Sequence, residues 1–190
     1  MKLAIILAIL LILIGGCSTV QDQPSGPTIK ATNTISGTRE LVLNEQDLQQ
    51  IGMTGDGTGC LTEEYTTNEY APLAQYNFCN YTINSLNGTE VIIELKKFTN
   101  FEALNGTYQY DSLHLYSVEG LISENDYGDQ SRFRVNNEHD YGGQYNDPNV
   151  YYYHLWISKN EYLIHLTSKG AKGAEGYIAK IGRLILSKFE

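Results

Sequence analysis

The chain of 190 residues holds one tryptophan, two methionines, four prolines and three cysteines, and its 13 Lys and Arg are outnumbered by 22 Asp and Glu. Each shortage excludes something. A formal net charge of −9 repels phosphate, which argues against a nucleic-acid partner and against direct adhesion to anionic head groups. After residue 17 no apolar run approaches bilayer-spanning length. No GxSxG, SxxK or HExxH occurs, the cysteines form no CxxC, and His114, His139, His154 and His165 are scattered without ligand spacing. Neither Cys60 nor Cys79 has a candidate base beside it in sequence, so a nucleophilic cysteine is disfavoured too. The expectation is a protein without enzymatic activity, cofactor or bound metal.

What is present begins at the N-terminus. Lys2, the uninterrupted apolar run Leu3 to Ile14 and the small residues Gly15-Gly16 make a secretory signal, too short to span a bilayer comfortably. Ile14-Gly15-Gly16-Cys17 resembles the lipobox of prokaryotic lipoproteins. That resemblance implies cleavage before Cys17 and lipidation of its sulfur by a diacylglycerol, whose two chains (palmitate is typical) are enough for stable anchoring. An uncleaved N-terminal anchor with an unmodified Cys17 is the other reading. Removing residues 1–16 deletes a single base and leaves 12 against 22 acids, as suits a solvated domain tethered on the extracytoplasmic side of a cell membrane.

With Cys17 lipidated, Cys60 and Cys79 remain as an even pair in an oxidising compartment, and a disulfide is preferred over free or metal-bound thiols. In the chain-entropy model such a loop is worth about 3 kcal/mol.

Residues 17–38 are rich in Ser, Thr, Pro, Gly and Gln and read as a flexible tether. A single domain follows over 39–190. Asn44 is set to cap a short helix from Glu45 to Ile51, with Leu43 stapled onto Leu48 and Gly52 as the left-handed stop. Strands are predicted over 61–70 and 76–85, then a hairpin at Asn87-Gly88 and a strand with Val91, Ile93 and Leu95 on one face and Ile92, Glu94 and Lys96 on the other. Thr99 to Glu102 reads as a capping box for a second helix with Phe101 and Leu104 inward, ended early at Asn105-Gly106. Short strands are expected at Leu113–Val118 and Ser131–Val135, followed by a long polar loop from Asn136 to Asn149. An antiparallel hairpin of Val150–Ile157 and Glu161–Thr167 comes next, and an amphipathic helix over about 172–188 closes the chain. Strands in runs with helices inserted imply an α+β fold, a mostly antiparallel sheet packed by helices including the C-terminal one.

This element order, with the turn Tyr127-Gly128-Asp129-Gln130-Ser131, resembles the small extracytoplasmic domains of the PsbP/Mog1-like sandwich. The Cys60/Cys79 pair and the loop from Asn136 to Asn149 depart from that pattern. The resemblance implies an α/β/α sandwich and a binding or accessory role.

Tyrosine is the compositional outlier, 15 residues against 5 Phe. Tyr141, Tyr145, Tyr151 and Tyr153, in or beside the long loop, are candidates for protein or glycan recognition, with ordinary sheet surface as the competing explanation. Asp126 and Asp129 offer hard oxygen ligands in a glycine-containing turn but lack EF-hand spacing, so a solvated turn is preferred over a calcium site. Asn80, Asn87 and Asn105 head N-glycosylation sequons, and two of these are also Asn-Gly turns. His154 and His165 fall on paired strands as hydrogen-bonded residues or a metal pair. The function expected is therefore a lipid-anchored, non-catalytic binding protein. A solute-binding protein or metal-dependent enzyme with a pocket lined by His154 and His165 is the alternative.

Overall fold

A computed structural model describes residues 33–54, 60–64, 72–114, 120–136, 147 and 149–190. All lie within the unit Ala31–Glu190. In chain order, the described residues form a 3₁₀ turn Thr38–Leu41, helix α1 (Glu45–Gln50), strands β1 (Leu61–Glu64), β2 (Leu73–Ile83) and β3 (Thr89–Phe98), and helix α2 (Phe101–His114). Strands β4 (Leu121–Glu124), β5 (Gln130–Asn136), β6 (Tyr151–Lys159) and β7 (Tyr162–Gly170) follow, and helix α3 (Ala174–Ser187) ends the fold. The strands make one sheet in the order β1-β2-β3-β7-β6-β5-β4, and every neighbouring pair is antiparallel. The fold is thus α+β, as the element order implies.

Alternation along the strands sorts the sheet into two unlike faces. One carries Cys79, Tyr81, Ile83, Val91, Ile93, Leu95, Leu155, Ile157, Ile164 and Leu166, all buried in one cluster with Leu41, Leu43 and Leu48 from the N-terminal segment. Helix α3 lies on this face because Ala174, Ile178, Ile181 and Ile185 recur at helical spacing and all four are buried. Burial of each isoleucine contributes roughly 1.5–3 kcal/mol. Close approach needs Gly182, where a Cβ would stand 2.9 Å from Leu155 Cδ2 and 3.2 Å from Ile157 Cδ1. Lys188 fastens the helix end by donating to the Asp47 carboxylate at 2.9 Å and to the Val42 carbonyl at 3.1 Å.

The opposite face is covered in part by α2, through a second cluster of Phe98, Leu104, Tyr108, Trp156 and Leu163. Here four expectations are corrected. Phe101 is 67% exposed, not inward, because the apolar face of α2 starts at Leu104. The cap is Asn100, whose Oδ1 accepts the Ala103 amide at 2.8 Å, while Thr99 Oγ1 donates to the Pro72 carbonyl. The helix also runs through Asn105-Gly106 to His114, because Leu104, Tyr108 and Ser112 share a buried stripe and Arg132 donates to Ser112 Oγ at 2.6 Å. Leu113 accordingly belongs to a helix, and the described strand comes later, at Leu121–Glu124. The predicted strand residues 65–70 and 115–118 lie outside the described residues, as does most of the long loop.

Several local readings agree with the structure. Asn44 and Asp47 form a reciprocal capping box, and Gly52 has φ +72° after α1. Asn87 takes φ +53° at the β2–β3 turn. Cys60 and Cys79 are joined by a disulfide that ties the entry of β1 to β2. Upstream, the chain is held against three strands: the Tyr162 hydroxyl donates to the Ile35 carbonyl, Lys97 to the Ser36 carbonyl, and the Thr38 amide to Gln75 Oε1.

Two stability outcomes follow. Replacing both Cys60 and Cys79 by Ser should lower unfolding free energy by about 3 kcal/mol in denaturant titrations, and reductant should then no longer affect the variant. Gly182→Leu should cost about 1–3 kcal/mol by overpacking under α3, read as an unchanged m-value with a lower midpoint.

Candidate functional site

The polar face of the sheet owes its side chains to register. Antiparallel pairing sets Arg132, Trp156, His165 and Glu94 in one row across β5, β6, β7 and β3, and Arg134, His154, Thr167 and Ile92 in the next. Residues in a row share a face, so four strands bring their polar side chains together between the apolar cluster under α2 and the sheet surface beyond it.

At the centre is a hydrogen-bonded chain. His165 Nδ1 lies 2.7 Å from Glu94 Oε2 and His165 Nε2 3.2 Å from His154 Nδ1. Thr167 Oγ1 is 3.1 Å from His165 Nε2 and 3.4 Å from His154 Nδ1. Tyr76 donates its hydroxyl to Glu94 Oε1 at 2.9 Å, and Lys96 stands between Glu94 (3.9 Å) and Asp111 of α2 (3.7 Å). The His165 ring lies flat against Trp156, with centroids 4.7 Å apart and planes within 6°. Glu94 and His165 keep 22% and 15% of their side-chain surface, so the junction reaches solvent.

Electrostatics assign the protons. Burial pushes the Glu94 carboxyl up, but the hydrogen bond and charge of His165, with help from Lys96 and Tyr76, outweigh it and hold it down at about 2. Glu94 is therefore a carboxylate that only accepts, and Nδ1 of His165 carries the donated proton. Burial first, then the neighbouring His165, lowers His154 well below the ordinary histidine value, and Glu94 only partly opposes this. His154 is neutral. With its proton on Nδ1 alone, His165 presents Nε2 as an acceptor facing the hydroxyl of Thr167 and Nδ1 of His154.

A second network anchors α2 beside this row. Arg132 donates to Glu124 Oε1 at 2.8 Å and to Gln109 and Ser112 of α2, with its guanidinium 5.2 Å from the Tyr108 ring centre.

The residues singled out in the sequence fall differently. Tyr153 belongs to the core: it is 1% exposed, its hydroxyl donates to the Lys172 carbonyl at 2.8 Å, and burial, with Glu175 and Tyr151 adding to it, pushes its pKa up to about 12. Its expected place on a recognition surface is corrected, because odd-numbered residues of β6 face α3. Tyr151 is half-buried, parallel to Tyr153 at 6.3 Å, with Lys172 Nζ 6.0 Å from its ring. Tyr141, Tyr145 and Cys17 lie outside the described residues. Asp129 bridges the turns: its carboxylate accepts from Lys159 Nζ and the Asn160 amide, both at 2.8 Å. These bonds outweigh burial and lower its pKa. Asp126 is exposed. Among the described residues no group of three His, Cys, Asp or Glu is arranged to hold a metal ion. Asn80 and Asn87 are exposed, and Asn105 is half-buried on α2.

Glu94, Thr167, Tyr76 and Lys96 escaped sequence reasoning. The alternation of residues 90–98 places Glu94 and Lys96 on the face opposite Val91, and the β6–β7 hairpin pairs the strands of His154 and His165. The missing signal was the β3–β7 pairing, which local pattern does not encode.

No family model matches the chain, and no curated protein matches it.

The Glu94 carboxyl gives a pH signature. Its pKa falls from 4.5 to about 2 on folding, so its contribution is fully present above about pH 4.5 and is lost as pH drops through about 2. At neutral pH, Glu94→Gln should cost on the order of 2 kcal/mol, partial exposure included, and the gap to wild type should close in acid unfolding titrations.

Proposed function

We propose that this chain is a lipoprotein, exported and anchored through lipid on Cys17, whose single α+β domain serves a binding or accessory role toward a protein or glycan on the extracytoplasmic side. The observation that carries the reading is the Cys60–Cys79 disulfide, which belongs to an oxidising compartment and agrees with the Ile14-Gly15-Gly16-Cys17 signal. No helix among the described residues is long and apolar enough to cross a membrane, which is compatible with a lipid as the anchor. The antiparallel sheet with helices on both faces agrees with the PsbP/Mog1-like resemblance, and through it with an accessory role. Recognition falls to Tyr151 and the loop tyrosines Tyr141 and Tyr145, since Tyr153 is committed to the core.

Cys17→Ser tests the anchor. The variant should fail to incorporate labelled palmitate and should move from the membrane to the soluble fraction, and retention in membranes without label would overturn the lipid anchor. Cross-linking in intact cells should recover one recurrent protein or glycan. The triple change Tyr141→Ala, Tyr145→Ala and Tyr151→Ala should abolish that capture while circular dichroism shows the variant folded, whereas undiminished capture would remove the tyrosines from the interface.

A further inference from the structure

The atoms that meet at His165 have a chemical order. A carboxylate holds Nδ1, and a hydroxyl lies on Nε2, at 2.7 and 3.1 Å respectively. This is the pairing that activates a hydroxyl nucleophile: the imidazole takes the proton, and the carboxylate fixes the tautomer and steadies the imidazolium. The carboxylate is itself braced by Tyr76 and Lys96, and the imidazole is held flat on Trp156. We infer that Thr167 is an activated nucleophile that accepts acyl groups from reactive esters, with His165 as its general base and Glu94 as the positioning residue.

The step balances without a cofactor. Thr167 Oγ1 bonds to the acyl carbon while its proton passes to His165 Nε2. The bond from the acyl carbon to the leaving oxygen then breaks, and that oxygen takes the proton from Nε2. Water, deprotonated by the same nitrogen, later releases the acyl group as a carboxylic acid and restores the hydroxyl.

The surroundings set the substrate class. Ile92 lies directly across from Thr167 in the register, Asn80 beyond it, and Phe78 diagonally on the same face. Ile92 and Phe78 are both half-buried, which gives an uncharged acyl group an apolar seat beside the nucleophile. Thr167 sits in the central strand, whose amides are engaged with β3 and β6. Strand amides engaged in this way supply no paired donors to an oxyanion, so the proposed substrates are esters with good leaving groups rather than amides. With its proton on Nδ1, His154 shares His165 Nε2 with the Thr167 hydroxyl.

The test uses the full chain and p-nitrophenyl acetate. Expected results are a burst of nitrophenolate, an acetyl group on Thr167 located by peptide mass spectrometry, and an acylation rate that follows a single ionisation with pH. Thr167→Val should abolish the adduct and Thr167→Ser should retain it. Glu94→Gln should slow acylation by about 10²-fold or more and change the pH profile. Because Glu94→Gln also affects stability, its rate is read where circular dichroism shows the variant folded. Acetylation confined to lysines or His165, or equal rates in wild type and Thr167→Val, would overturn the assignment.

Discussion

The pairing of β3 with β7 is the constraint on which the rest of the molecule depends. It joins two parts that sequence keeps far apart, the β1–β3 meander and the β4–β7 meander, and it is bridged by α2 and three intervening strands. Eight residue pairs, from Glu90↔Lys169 to Lys97↔Tyr162, fix its register. A slip of one residue would turn Val91, Ile93 and Leu95 away from α3 and expose them, so burial on one face holds the polar row in place on the other. Glu94 meets His165 because isoleucines must meet α3.

The two faces therefore have different duties. The α3 side is a continuous apolar core and accounts for most of the stability. The α2 side exchanges apolar contact for hydrogen bonds and charge: Arg132 is held by α2 and Glu124, His165 by Glu94 and Thr167. Such a network is stable when complete and costly when one member is removed, which makes its members sensitive reporters of local change.

How far this could be read from residues alone depended on the range of the physics. Asn44, Gly52, the Asn87-Gly88 turn, the β6–β7 hairpin and the stripe of α3 were legible because caps, left-handed turns and amphipathic spacing act within a few residues. The full length of α2 was not, since Asn105-Gly106 is a stop signal that tertiary packing of Tyr108 and Ser112 overrides. The burial of Tyr153 was not legible, because nothing local says which face of a strand meets the larger core. Glu94 was placed on the right side of its strand, but its partner lay 71 residues away.

The segment from Ile35 to Thr38 has a mechanical meaning. Three of its backbone groups are gripped by side chains from three different strands, Tyr162 of β7, Lys97 of β3 and Gln75 of β2. A pull arriving along the chain from its N-terminal side is thus shared among neighbouring strands in the middle of the sheet, and no single edge strand has to be peeled away first. Load spread this way must break several bonds together, so the domain resists being unravelled from its N-terminal side at the point where Ile35 to Thr38 meet the sheet.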